Sequence, residues 1–203
     1  MRADARKNYD HLLAVAREVV FMQGAEASLR DVARTAGVGL GTLYRHFPTR
    51  EALLEALLRK SFEELASRAD ELSSSESPSR SLILWLREAV ALTHDYRGVI
   101  ALMVAAIEHP ESALHASCVA LRAAGAQLLE RAQAEGLARA DMDGADLFAL
   151  ISALAWIRDQ SALASRADHL FDIISTAILT HAAAEALPTE PPAAARRSGG
   201  PDG

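Results

Sequence analysis

Between residues 12 and 184 the apolar side chains recur every three or four positions, and no run alternates with period two. That spacing lines one face of a helix and cannot line one face of a strand. The core must therefore form by packing helix on helix, and the predicted fold class is all-α. Half of the 203 residues are hydrophobic, enough for a sizeable core in one long or two small domains.

The separators predict where the helices stop. Leu12, Leu13, Ala16, Val19 and Val20 form a first stripe, with Gly24 where a left-handed stop is wanted. Ser28 and Asp31 stand in a Ser-x-x-Asp arrangement that can cap a short second helix over 29–36, ended by Gly37. Thr49 can cap a long helix from Arg50 whose stripe is Leu54, Leu58, Phe62, Leu65, Ala69 and Leu72. The polar, proline-containing stretch SSSESPS over 73–79 reads as a loop, and further helices are predicted over 82–95, 99–108, 111–135, 144–163 and 167–184. The tail from Leu187 is rich in Pro, Gly and Ala and is expected to be disordered.

Charge divides the chain unevenly. Residues 1–60 hold ten Lys/Arg against seven Asp/Glu, whereas the whole chain carries a net charge of -6. The first third can approach a polyanion and the remainder repels one. A single cysteine, Cys118, rules out an internal disulfide, no secretory signal pattern opens the sequence, and the longest apolar run is nine residues, 99–107. About 18 are needed to suggest a membrane span, so a cytoplasmic location with no membrane partner is expected.

Two short helices joined by AGVG and preceded by a supporting helix make a helix-turn-helix candidate. Ala33, Gly37, Val38 and Leu43 are small or apolar where those helices meet. Thr42, Tyr44, Arg45 and His46 then supply an outward set of hydroxyl, imidazole and guanidinium groups suited to phosphates and base edges. Arg50 sits in the first turn of the next helix, where free N–H groups also favour a phosphate oxygen.

The stretch 24–58 resembles the DNA-binding domain of the tetracycline-repressor (TetR) family of bacterial one-component regulators. The groups Asp31-Val32-Ala33, Ala36-Gly37-Val38, Gly41-Thr42-Leu43-Tyr44 and His46-Phe47 all fall at that family's spacing. The resemblance implies phosphate or base contacts for Thr42 and Tyr44, phosphate contacts for His46 and Arg50, and operator reading by Arg45. Leu40 and Gly41 would make apolar or backbone contacts, and Arg30 is counted in the same DNA-binding set. Gly39 departs from the family's usual hydroxyl cap, and Val20 and Ala25 stand where aromatics are frequent.

The same resemblance implies a DNA-binding domain over 1–48, a helical effector-binding and dimerisation domain over 49–185, and a tail over 186–203. Segments 82–86 and 99–107 are apolar on nearly every side, as in helices buried all round. Candidates for an effector pocket are Trp85, Leu86, Met103, Ile107, Cys118, Leu121 and Phe148, with Arg87, His94, His109 and Arg122 as polar anchors. Leu147, Ile151, Leu154, Trp156, Phe171, Ile174 and Ile178 are the candidates for a homodimer interface between the last two helices. The segment 135–150 also resembles a junction between the seventh and eighth helices in part of the family.

The expected function is a ligand-responsive transcriptional regulator, a repressor released from palindromic double-stranded DNA by a small hydrophobic effector. A constitutive DNA-binding dimer with a solid core is the alternative. An all-helical enzyme would have to use His94 with Asp95 or Glu108 with His109, without a nucleophile elbow, phosphate loop or metal cluster. His109 and His115 flank Glu111 at a spacing broken by Pro110 that fits no zinc pattern, so neither metal nor cofactor is expected.

Overall fold

The computed structural model describes residues 2–23, 27–96, 110–111 and 114–185. Among these, nine α-helices follow one another: α1 Arg2–Gln23, α2 Leu29–Thr35, α3 Leu40–His46, α4 Arg50–Ser73, α5 Pro78–Asp95, α6 His115–Ala134, α7 Gly144–Asp159, α8 Ala167–Ile178 and α9 His181–Glu185. A single 3-10 turn, Ala164–Arg166, precedes α8. Helix 99–108, Gly24, Ala25, Met103, Ile107, Glu108, His109 and the tail from residue 186 lie outside the described residues.

Helix α4 is the spine. Its first turns pack on α1, and the rest lies along α5 and α6, while α7 closes over α5 and α6 and carries α8 outside it. Leu53, Leu54, Leu57 and Leu58 join Leu12, Leu13, Ala16, Val20, Val32, Leu43 and Phe47 in the head of the molecule. Phe62, Leu65 and Ala69 of the same helix join Leu82, Leu86, Leu121 and Leu128 in the body. Each fully buried leucine or phenylalanine contributes about 1.5–3 kcal/mol, so both ends of α4 are firmly held.

Side-chain caps mark three of the helix starts. Thr49 accepts the Ala52 N–H at 3.1 Å, as its position implies. Ser28 accepts the Arg30 N–H at 3.1 Å, but Asp31 accepts from the Arg34 guanidinium at 2.8 Å, so the expected reciprocal box gives way to an i,i+3 ion pair. The reciprocal box forms instead at α7, where Asp143 accepts from Ala145 and Asp146 N–H groups and Asp146 accepts from Asp143 N–H.

Four boundaries differ from the sequence reading, one of them the end of α7 at Asp159 rather than at residue 163. Helix α5 begins at Pro78, earlier than expected, because proline in a first helical turn lacks only an N–H that would be unbonded anyway. Helix α6 starts at His115 rather than near Glu111. Helix α8 stops at Ile178 because the chain there turns extended to pair with the 137–139 strand-like segment: Arg139 N–H donates to Ile178 O and Thr180 N–H to Leu137 O. The 82–86 segment is not buried on every side, since Leu84 faces outward while its neighbours are enclosed.

Trp85 locks the body. Its fully buried indole donates from Nε1 to the Leu65 carbonyl of α4 at 2.9 Å, and its ring edge lies against Gly125 of α6. A Cβ at Gly125 would stand 2.6 Å from Trp85 Cη2 and 3.2 Å from a Leu147 methyl, so only glycine lets α6 approach so closely. Gly125→Ala should therefore destabilise the protein by about 1–3 kcal/mol in urea unfolding, the usual cost of overpacking. Unchanged stability would mean that the ring has room to slide.

Candidate nucleic-acid interface

The turn between α2 and α3 is built from the backbone. Gly37 has φ +66°, the left-handed region that costs other residues roughly 1–2 kcal/mol. In that conformation Val38 N–H reaches Ala33 O at 3.0 Å and Gly37 N–H reaches Arg34 O at 3.2 Å, the paired bonds of a Schellman stop. The chain then re-enters a helix at once, with Gly39 O accepting from Thr42 and Leu43 N–H. Gly39 caps α3 without a side-chain hydrogen bond, as the missing hydroxyl implies.

Helix α3 is anchored by one residue and exposes the others. Leu43 is fully buried beneath it, and Phe47 is buried at its end against Tyr9 of α1, with ring centroids 5.3 Å apart. Tyr44 is 47% exposed. Arg30, Gly41 and Arg45 are also exposed, and Leu40, Thr42, His46 and Arg50 are half-buried. Arg45 donates to Thr42 Oγ1 at 3.2 Å, so these two side chains present one joint polar surface. At the start of α4, Arg50 Nε lies 3.6 Å from Glu51. The Glu51 carboxyl is held below its usual range by its own backbone N–H first, and by Arg50 and Thr49 as well. Six of the eight sequence-predicted residues, Leu40, Gly41, Thr42, Tyr44, Arg45 and His46, lie on α3 itself, whereas Arg30 is on α2 and Arg50 begins α4.

Cations on the head fall into two groups. Arg17 pairs with Glu64 at 3.9 Å and Arg34 with Asp31 at 2.8 Å. Arg6, Lys7, Arg30, Arg45, Arg59 and Lys60 have no carboxylate within ion-pair reach among the described residues. Sequence reasoning missed Tyr9 and Arg59. They line a cleft of about 190 Å³ together with His46, Phe47, Ala52, Glu55 and Ala56. Fifty residues separate Tyr9 from Arg59, so no local motif brings them together.

In the body, five of the pocket candidates, Trp85, Leu86, Cys118, Leu121 and Phe148, are buried in one continuous core. The described polar anchors, Arg87, His94 and Arg122, stand outside that buried core. Arg122 is exposed on the outer side of α6, so it cannot reach an interior ligand without leaving solvent. Arg87 lies over the Phe171 ring at 4.3 Å and bonds Asp172 at 3.3 Å, tying α5 to α8. His94 Nδ1 is 2.9 Å from Asp159, so that imidazole already joins α5 to α7.

The dimer candidates are corrected. Leu147, Ile151, Leu154, Phe171 and Ile178 are each 3% exposed or less within one chain, which leaves no surface to bury against a second. Trp156, 53% exposed, and half-buried Ile174 remain available. The accessible face adds Ala149, Ala153, Leu163 and Ile173, with Ala149, Ala153 and Trp156 at i, i+4 and i+7 on α7. Among the described residues there is no group of three or more His, Cys, Asp or Glu that could hold a metal ion, and no helix is long and apolar enough to cross a membrane.

Two family models match this architecture. Residues 12–57 match the bacterial regulatory proteins of the tetR family, and residues 77–178 match the SbtR-like transcriptional regulator C-terminal domain. The chain belongs to the TetR family of transcriptional regulators. A TetR regulator from Streptomyces coelicolor, SCO0520, is 30% identical with a TM-score of 0.65, over 85% of this chain and 99% of that one. The repressor KstR2 of Mycolicibacterium smegmatis is 32% identical over 94 residues, 45% of this chain and 46% of that protein. The chain thus spans about half the length of this curated relative. FadR of Bacillus subtilis, solved with stearoyl-CoA, shares the fold at 18% identity, with a TM-score of 0.57, over 84% of this chain and 99% of that one.

Within this TetR-family body Cys118 is sealed from solvent, and burial pushes its thiol up to about 11. The thiolate is the reactive form, so roughly one thiol in a thousand is reactive at pH 8. Iodoacetamide should leave Cys118 unmodified in the folded protein at that pH and alkylate it rapidly in denaturant, followed by intact mass. Rapid native labelling would place the thiol on an open path to solvent.

Proposed function

We propose that the protein is a homodimeric, ligand-responsive repressor that binds a palindromic DNA operator and leaves it when a small hydrophobic effector binds the body. The observation that carries the reading is the exposed Tyr44 and Arg45, with half-buried Thr42 beside them, on a helix pinned from beneath by Leu43. The major groove admits one helix, and its base edges are read by side chains of this kind. Residues 1–48 form the DNA-binding unit in this reading, 49–185 the effector and dimer unit, and 186–203 a tail. Such a regulator works in the cytoplasm.

Effector and operator communicate through α4. Arg59 and Glu64 link it to Tyr9 and Arg17 of α1, while Ser61 bonds Tyr96 at 2.9 Å, Leu65 accepts from Trp85, and Arg68 reaches Glu88 at 3.4 Å. Arg131 of α6 donates to the Ser73 and Ser75 carbonyls at the far end. A displacement of α5 or α6 by a ligand is therefore passed to α4 and from α4 to the head. Operator and inducer then weaken each other by the same factor, as linkage requires. The apolar body and the relative solved with stearoyl-CoA support a largely apolar effector.

The face of Trp156, Ile173 and Ala153 is where the second copy docks in this reading. Paired heads are then fixed at a separation that meets two half-sites about 34–36 Å apart, or a multiple of that. Trp156→Glu combined with Ile173→Glu should give monomers by light scattering and weaken binding to the DNA upstream of the gene at least tenfold. A double variant that stays dimeric would move the interface elsewhere.

Arg45→Ala separates base reading from backbone contact. If Arg45 reads a guanine, the variant loses about 1–3 kcal/mol on the preferred sequence and little on others, measured by fluorescence anisotropy. An equal loss on every sequence makes Arg45 a phosphate contact. No salt-sensitive, sequence-selective binding by the unmodified protein would overturn the proposed function itself.

A further inference from the structure

The cleft beside α3 is built from two elements that the helix-turn-helix does not include. Tyr9 comes from α1, Ala52, Glu55, Ala56 and Arg59 come from α4, and His46 closes the side nearest α3. The Tyr9 ring lies 5.9 Å from the His46 ring and 5.3 Å from Phe47, so its position is fixed by packing. Arg59 Nη2 approaches Tyr9 Oη at 3.5 Å. Glu55 stands one turn before Arg59, the i,i+4 order that favours an ion pair, yet no such pair forms. The guanidinium is instead paired only weakly with a neutral hydroxyl, and its charge is uncompensated.

Three polar groups able to donate to an oxyanion, the Tyr9 hydroxyl, the His46 imidazole and the Arg59 guanidinium, therefore line one open cleft. Exposed Arg6 and Lys7 lie within one turn of Tyr9 on α1, and exposed Lys60 follows Arg59 on α4; none has a carboxylate partner among the described residues. In the body, Arg68, Arg87, Arg139 and Arg158 are paired with carboxylates, and the exposed Arg80, Arg122 and Arg166, which have no carboxylate partner among the described residues, stand on three separate elements and share no cleft with one another. Cations without a carboxylate partner thus stand on α3 (Arg45), on α1 (Arg6 and Lys7) and at the α1–α4 cleft (Arg59 and Lys60), with His46 between α3 and the cleft.

We infer that this cleft seats the DNA phosphodiester backbone, with Arg59 as the charged contact and the Tyr9 hydroxyl as a neutral hydrogen-bond donor. The inference rests on the reading of the head as a DNA-binding unit, and it extends the footprint beyond the eight residues around α3. His46 joins the two surfaces, so one strand leaving the recognition helix meets the cleft next.

A salt-dependence experiment tests this on the full chain with a duplex of about three helical turns taken from upstream of the gene, and with a scrambled duplex. Each charged phosphate contact contributes about 0.9 to the slope of log affinity against log salt. Arg59→Gln should lower the slope by about that amount on both duplexes, so its deficit shrinks roughly three- to fourfold between about 50 and 200 mM salt. Arg59→Lys should retain the slope, and Tyr9→Phe should weaken both duplexes a few-fold with the slope intact. Arg166→Gln, on the exposed turn before α8, should behave as the unmodified protein.

An unchanged slope in Arg59→Gln, or an equal slope loss in Arg59→Lys, would overturn the inference. A loss confined to the upstream duplex would overturn it too, because a backbone contact is blind to sequence. If the unmodified protein binds neither duplex at any salt concentration, the DNA-binding reading itself fails, which is a different outcome from a slope that Arg59 does not influence. Circular dichroism melting of each variant separates lost contact from lost fold.

Discussion

One helix runs through the whole length of a single continuous core. The 24 residues of α4 bury Leu53, Leu54, Leu57 and Leu58 in the head and Phe62, Leu65 and Ala69 in the body, without a break between them. A helix transmits displacement along its axis because its hydrogen-bonded turns resist bending unless proline or an inserted group interrupts them. Neither occurs within α4. The other elements are arranged around that constraint: α1 packs on its first turns and carries α2, which in turn carries α3, and α5 and α6 grip the rest.

The grip is polar where it must be directional. Ser61 with Tyr96, Trp85 with the Leu65 carbonyl, and Arg131 with the Ser73 carbonyl that ends α4 fix the rotation and the sliding of the helix, which apolar contacts alone leave loosely specified. The Tyr96 hydroxyl is buried, and burial raises its pKa while the Ser61 bond opposes that rise. It therefore stays protonated and able to donate. Gly125 contributes by absence, giving Trp85 the space that lets α6 reach α4.

The helices and the surface around α3 were legible in the sequence because one periodicity decides both. Leu43 must point inward, so Tyr44 and Arg45, about 100° and 200° further round, point away. Gly37 announced the turn through the one conformation that other residues avoid. The face of α7 was not legible. That helix is apolar nearly all round, and hydropathy cannot say whether Leu147, Ile151 and Leu154 or Ala149, Ala153 and Trp156 face the core. The inward set proved to be the bulky aliphatic one. The partners of the polar residues were not legible for a related reason: Arg87 and His94 bond carboxylates on α8 and α7, choices that depend on tertiary placement and leave no local mark. Tyr9 and Arg59 meet only because α1 and α4 pack together.

If α4 holds two heads at a fixed separation, the footprint on DNA must record that separation. Hydroxyl-radical footprinting of the region upstream of the gene is the direct measurement. The account predicts two protected half-sites related by two-fold symmetry on one face of the duplex, with centres about one helical turn apart or a whole multiple of it. A single asymmetric protected site, or protection spread evenly without half-sites, would contradict it.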